Sequence, residues 1–263
     1  MIIDAHAHAW PDAVAAKALA GGIPGMDLFG DGTIAGLTAS MAESGIDRTV
    51  VLAVANTPDR VENANSFVGG VDRELFIPFG SIHPGLSPED NIASLRRHGL
   101  QAAKLHPVFQ HFALDDPALF AVLDAMRGEF AVTIHVGAGA GQDGSQCSPA
   151  MLAHLVRELP GLDIIGCHLG GYKLLEDADD NVIGLPCYLD TSWPPGLSTV
   201  DPAIVKRMIE RHGTDRIIFA SDWPTADPKR ELDAVRALGF DDATTAAILG
   251  GNLERVLGMT DAS

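Results

Sequence analysis

Six of the ten histidines stand where short apolar runs end: His6, His8, His83, His106, His135 and His168. Imidazole carries protons near neutral pH and is the commonest metal ligand, so such a distribution is first a statement about chemistry. The sharpest piece is Asp4-Ala5-His6-Ala7-His8. Side chains alternate along a strand, so His6 and His8 project to the same side with one small residue between them. An isolated His-x-His is more often a pair of satisfied polar residues than a ligand pair. Its place at the tip of a first strand shifts that balance.

His135 ends the run Val132-Thr133-Ile134, and His168 follows Ile164-Ile165-Gly166-Cys167. Asp222 closes Ile217-Ile218-Phe219-Ala220-Ser221. A buried carboxylate is costly without a cation or strong donor, so Asp222 needs a positive partner. His6, His8, His135 and Asp222 make three imidazoles and one carboxylate. That donor set suits a borderline-soft divalent ion, Zn²⁺ in preference, with a position left for water.

Lys104 lies on the fourth strand, two residues before His106, so the two face the same way. Three readings stand level: an anchor for a substrate carboxylate, a carbamylated ligand bridging two metals, or a lysine ion-paired near Asp222 or Asp4. Cys167 alternates away from His168 and reads as a small core residue under the helices. His98 and His212 precede helix-ending glycines, where a partly positive ring suits the helix dipole. His111 and His154 read as solvated.

Residues so placed need elements to carry them. Short apolar runs at 2–6, 49–53, 76–83, 101–106, 131–136, 162–168, 187–191 and 216–221 predict eight strands. Amphipathic stretches separate them. Asp116-Pro117, Ser148-Pro149, Asp201-Pro202 and Asp227-Pro228 each put an N-cap before a proline at the first helical position. Gly45, Gly99, Gly213 and Gly239 end helical patterns. Strand–helix alternation predicts parallel pairing, and no GxGxxG follows the first strand, which disfavours a dinucleotide-binding sheet. The expected fold is α/β, a (β/α)8 TIM barrel, as one domain over 1–263. In such a barrel the strand ends meet on the active face. Glycine-rich stretches 21–32 and 137–144 read as loops over that face; a phosphate cradle in 137–144 lacks the Lys-Ser/Thr that a P-loop requires.

The formal charge is −17, which opposes nucleic acid and anionic membranes as partners. Three widely spaced cysteines offer no disulfide framework and suit a reducing compartment. No apolar run approaches the ~20 residues of a membrane span, and the N-terminus is too short and polar for a signal peptide. The expectations are a cytoplasmic location and a small-molecule partner, with oligomeric state left open.

Taken together, several motifs resemble the amidohydrolase superfamily, in its amidohydrolase-2 branch of metal-dependent TIM-barrel hydrolases. They are Asp-x-His-x-His, Lys104-Leu105-His106-Pro107 with Phe109-Gln110 and Asp115-Asp116-Pro117, His135, Cys167-His168-Leu169-Gly170-Gly171, Ser221-Asp222-Trp223-Pro224, and the closing segment 248–257. The resemblance runs the length of the chain. It implies that His6, His8, His135 and Asp222 hold the metal and that Asp222 also shuttles a proton. His168 becomes a catalytic acid/base or, with Lys104 and His106, part of a second-metal or substrate-binding set. One ion is preferred over two. The reaction implied is hydrolysis of a small ester, lactone or amide by metal-activated water. The rivals are decarboxylation or hydration of an aromatic or unsaturated acid, with Lys104 and Lys173 as carboxylate anchors, and a non-enzymatic metal-binding barrel.

Overall fold

In the computed structural model, which describes residues 1–21, 27–139 and 141–259, eight strands alternate with helices. They are β1 Ile3–Ala7, β2 Arg48–Leu52, β3 Phe76–Ser81, β4 Ala102–Leu105, β5 Ala131–Ile134, β6 Ile164–Gly166, β7 Tyr188–Asp190 and β8 Ile217–Ile218. Every one falls on an expected run. They are hydrogen-bonded in chain order β1 to β8, and the paired strands with recorded registers are parallel. The last strand returns to the first: Ala5 N–H donates to the Phe219 carbonyl at 2.9 Å, Asp222 N–H to His6 at 2.7 Å and His8 N–H to Trp223 at 2.7 Å. The fold is the (β/α)8 barrel.

Tertiary contacts divide the chain into two compact units. The first comprises Met1–Val51, Arg73–Ile77 and Asp190–Ser263; the second comprises Leu52–Asp72 and Pro78–Leu189. In the first, β1 is buried along its whole length, and Ile3, Val50, Ile217 and Phe219 are each 0% exposed. In the second, Leu105, Val132 and Ile134 form part of the core beside β6.

The predicted caps form. Asp116, Ser148, Asp201 and Asp227 each accept a hydrogen bond from the first turn of the helix they precede, with proline just inside. Ser87-Pro88 does the same for the helix Pro88–Arg97. Gly45 takes the left-handed conformation (φ 71°) and donates to the Met41 carbonyl, ending Ile34–Ser44 as a C′ glycine does.

His98 and His212 do stand at helix ends before Gly99 and Gly213, but with more packing than that position alone implies: the His98 ring bonds Glu62 Oε1 at 2.9 Å, and His212 is completely buried. His111 and His154 are exposed, as expected. Of the loop 21–32, residues 22–26 lie outside the described residues, as does residue 140 of 137–144.

Candidate metal centre

In the first unit, β1 delivers His6 and, one residue beyond its end, His8. Alternation turns both rings to one side, and their Nε2 atoms lie 3.2 Å apart. Asp222 follows β8 in a left-handed backbone conformation (φ 68°), unusual for a residue with a side chain. The turn is held from both sides. Asp222 N–H is tied to His6, while its carbonyl accepts from Thr225 N–H at 2.9 Å and Thr225 Oγ1 at 2.7 Å. This aims Asp222 Oδ1 at the imidazoles, 3.4 Å from His6 Nε2 and 3.7 Å from His8 Nε2.

The three atoms form a nearly equilateral triangle. The circle through them has a radius of about 2.0 Å, which is the length of a Zn–N or Zn–O bond. A tetrahedral ion with such bonds separates its ligands by about 3.3 Å, inside the observed range near its lower end. The donors therefore fit a divalent cation in both chemistry and spacing. The His6 side chain is 1% exposed, whereas those of His8 and Asp222 are 16% and 13% exposed, so the triangle opens toward solvent on one side.

Behind His6 stands Asp190, the last residue of β7. Its Oδ2 lies 2.9 Å from His6 Nδ1, and its Oδ1 accepts from Ser192 Oγ at 2.6 Å and Ser192 N–H at 3.1 Å. A buried carboxylate on Nδ1 places the ring proton there and leaves the lone pair on Nε2, the atom facing His8 and Asp222. Asp4 braces the same strand ends. Its carboxylate accepts from His6 N–H, Ser221 N–H and Ser221 Oγ, and burial pushes its pKa up to about 6.

In the second unit, His106, His135 and His168 gather past β4, β5 and β6. The His106 and His135 rings stack at 4.0 Å, almost parallel, and Phe109 stacks on the outer face of His106 at 4.0 Å. His135 Nδ1 lies 3.0 Å from His168 Nε2, so the two rings share a proton. When His135 donates it, His135 Nε2 carries the lone pair a metal requires. His168, like Asp222, has positive φ (60°), and its ring lies 5.3 Å from the Tyr172 ring. Lys173 holds its ammonium 5.0 Å above that tyrosine. Gly137 (φ 104°) lets the chain after β5 run against Tyr172, where a Cβ would come within 2.4 Å of the tyrosine backbone.

The amidohydrolase family model (Amidohydro_2) matches residues 3–259. The chain belongs to the amidohydrolase family. No curated protein matches it. Among solved structures, this amidohydrolase is similar to an uncharacterized TIM-barrel protein from Bordetella bronchiseptica at 18% identity, TM-score 0.79, covering 98% of both chains. It is also similar to a dihydroxybenzoic acid decarboxylase from Polaromonas sp. JS666 with bound manganese and the inhibitor 2-nitroresorcinol. There the identity is 15% and the TM-score 0.74, over 99% of this chain and 98% of that one. A third is a probable 2-pyrone-4,6-dicarboxylic acid hydrolase from Acinetobacter baumannii with citric acid bound, at 15% identity and TM-score 0.67, covering 98% and 99%.

The amidohydrolase site differs from expectation in two respects. Asp190 and Asp4 are absent from the expected site, although each is a carboxylate on a buried strand, the signal that singled out Asp222. Cys167 does not turn away under the helices. Its Sγ accepts a hydrogen bond from Lys104 Nζ at 2.9 Å, with both residues 0% exposed. Strand β6 ends at Gly166, so strand alternation no longer governs Cys167. His106 likewise lies past β4, where it caps a single helical turn, Pro107–Gln110, through Nδ1.

Proposed function

We propose that this amidohydrolase uses one divalent metal ion, held by His6 Nε2, His8 Nε2 and Asp222 Oδ1, to hydrolyse a small ester, lactone or amide. The observation that carries the reading is the triangle of donor atoms with Asp190 behind His6. A storage site needs no ligand left partly open to solvent and no spare acid/base; here His8 and Asp222 are the open side.

When bound, the ion supplies Lewis acidity, polarising a substrate oxygen and lowering the pKa of water to about 7. The chain's own residues do the rest. His6 is fixed in tautomer and angle by Asp190, so it is a donor with little freedom to reorganise. Asp222 has one oxygen on the triangle and a backbone pinned by Thr225 and His6, a placement for taking a proton from water and returning it to the leaving group. By the resemblance, His135 is a further ligand candidate and His168 the group for proton transfer. The proton shared by His135 and His168 gives His168 a source for the latter. The metal identity proposed is Zn²⁺, from the two-imidazole, one-carboxylate donors; manganese in the decarboxylase named above makes Mn²⁺ the ion to test beside it.

A second reading keeps the metal and changes the reaction to decarboxylation or hydration of a small carboxylic acid. It rests on Lys173, whose ammonium is held over Tyr172 beside His168, a placement suited to a substrate carboxylate. The test is a substrate panel of lactones, esters and aromatic acids, assayed with Zn²⁺ or Mn²⁺ while CO2 is followed. Metal-dependent acid release without CO2 supports hydrolysis; CO2 from aromatic acids alone replaces it with the second reading. Asp222→Asn is expected to lose turnover at least a hundredfold with its thermal unfolding unchanged, and wild-type rates would remove Asp222 from the mechanism.

A further inference from the structure

Lys104 and Cys167 meet in the interior of the second unit. Lys104 is one of the largest fully buried side chains, with Cys167 equally buried. Here Nζ lies 2.9 Å from a thiol sulfur, shorter than an ordinary contact between nitrogen and the larger sulfur atom.

Neither group can easily retreat. Lys104 is locked in β4 by its register with Thr133, which pairs in turn with Ile165 of β6. Cys167 is pinned by its N–H to the Ile134 carbonyl at 2.9 Å. The three cysteines form no disulfide. Cys147 is occupied otherwise, donating to the Gly137 carbonyl at 3.3 Å with its thiol pKa pushed up to about 12 by burial.

We propose that Lys104 and Cys167 form a reversible covalent cross-link through a single oxygen atom, Nζ–O–Sγ, when the protein meets dioxygen. The amine and thiol react with one O2. The N–H and S–H bonds break, N–O and O–S bonds form, and the second oxygen leaves as water with the two displaced hydrogens. Nitrogen and sulfur each give up two electrons, which together reduce the dioxygen. Two equivalents of a dithiol reverse the change, regenerating amine, thiol and water. The geometry selects this bridge over a direct N–S bond. One oxygen spans a gap of this size almost without movement, whereas a direct bond needs the atoms to close by more than about an ångström in a packed interior. Burial excludes glutathione and bulky oxidants and leaves dioxygen, a small apolar molecule, as the reagent. The link would tie β4 to β6 between His106 and His168, and it is incompatible with a carbamylated Lys104.

Peptide mapping tests this directly on the full-length protein, purified without oxygen in dithiothreitol and then divided. One half stays anaerobic; the other stands in air-saturated buffer without reductant. The aerated half should yield a linked pair of peptides containing Lys104 and Cys167, about 14 Da heavier than their sum. The pair should be absent from the anaerobic half and lost on adding dithiothreitol. Aeration should also raise the wild-type unfolding temperature reversibly, with no rise in Cys167→Ser. Unlinked peptides after aeration, a link that lacks the oxygen, or Cys167 oxidised to its sulfinic acid beside unmodified Lys104 would each overturn the proposal.

Discussion

Asp190→Asn probes the metal centre without touching a donor atom. Asp190 Oδ2 is 2.9 Å from His6 Nδ1, and both side chains are 1% exposed, so the interaction is poorly screened. Across the imidazole, the carboxylate charge stands about 7 Å from an ion bound at Nε2. At an effective dielectric of about 20, that separation gives a ceiling of about 5 kcal/mol for a divalent cation. Asparagine keeps an acceptor for the ring proton, so only part of this is lost. Removal of such outer carboxylates costs about 10–100-fold in metal affinity, or about 1.4–2.7 kcal/mol. The assay is competition for Zn²⁺ against a chelating dye at fixed pH. Ser192→Ala is the control, because it keeps the charge while removing a hydroxyl that donates to the same carboxylate. The variant should bind at least tenfold more weakly, with metal-free unfolding close to that of wild type. Equal affinity in Asp190→Asn and wild type would refute the orienting role of Asp190.

Glu231 is buried on the helix Pro228–Ala237, with both carboxyl oxygens on Leu197 N–H, and burial raises its pKa to about 8. The unfolded chain therefore ionises this group first, and stability falls by up to about 1.4 kcal/mol per pH unit between about 4.5 and 8, then levels. Glu231→Gln should flatten that fall, stabilising the protein at pH 8.5 more than at pH 5 in thermal melts; parallel pH profiles would contradict it. Gly137→Ala should cost about 2 kcal/mol or more in denaturant unfolding, since its Cβ meets the Tyr172 backbone at 2.4 Å and its φ of 104° suits only glycine. A loss below about 0.5 kcal/mol would mean that the loop shifts freely.

The frame was legible because periodicity and capping agree. Eight apolar runs became eight strands, and each Asp-Pro or Ser-Pro step became a capped helix start, since proline and a short acceptor side chain act locally. The adjacency of His6, His8 and Asp222 was legible for another reason: strand alternation couples the first two, and parallel chain order brings the first strand beside the last. Asp190 escaped notice because a single aspartate after Tyr188-Leu189 reads as an ordinary strand end. Only the folded structure reveals that His6 Nδ1, on a strand that is not its neighbour, meets it. Cys167 was misdirected by extending alternation one residue past the last ladder bond, where φ and ψ no longer repeat. Glu231 carried no signal, because helix periodicity cannot say which polar residue will be covered by a distant loop.

Metal stoichiometry is the most direct measure of the central claim. Metal-stripped protein titrated with Zn²⁺, and separately with Mn²⁺, should take up about one equivalent, and the His6→Ala/His8→Ala double variant should take up none while keeping its circular dichroism. Wild-type protein that binds no divalent ion, or a double variant that still holds a full equivalent, would contradict the account.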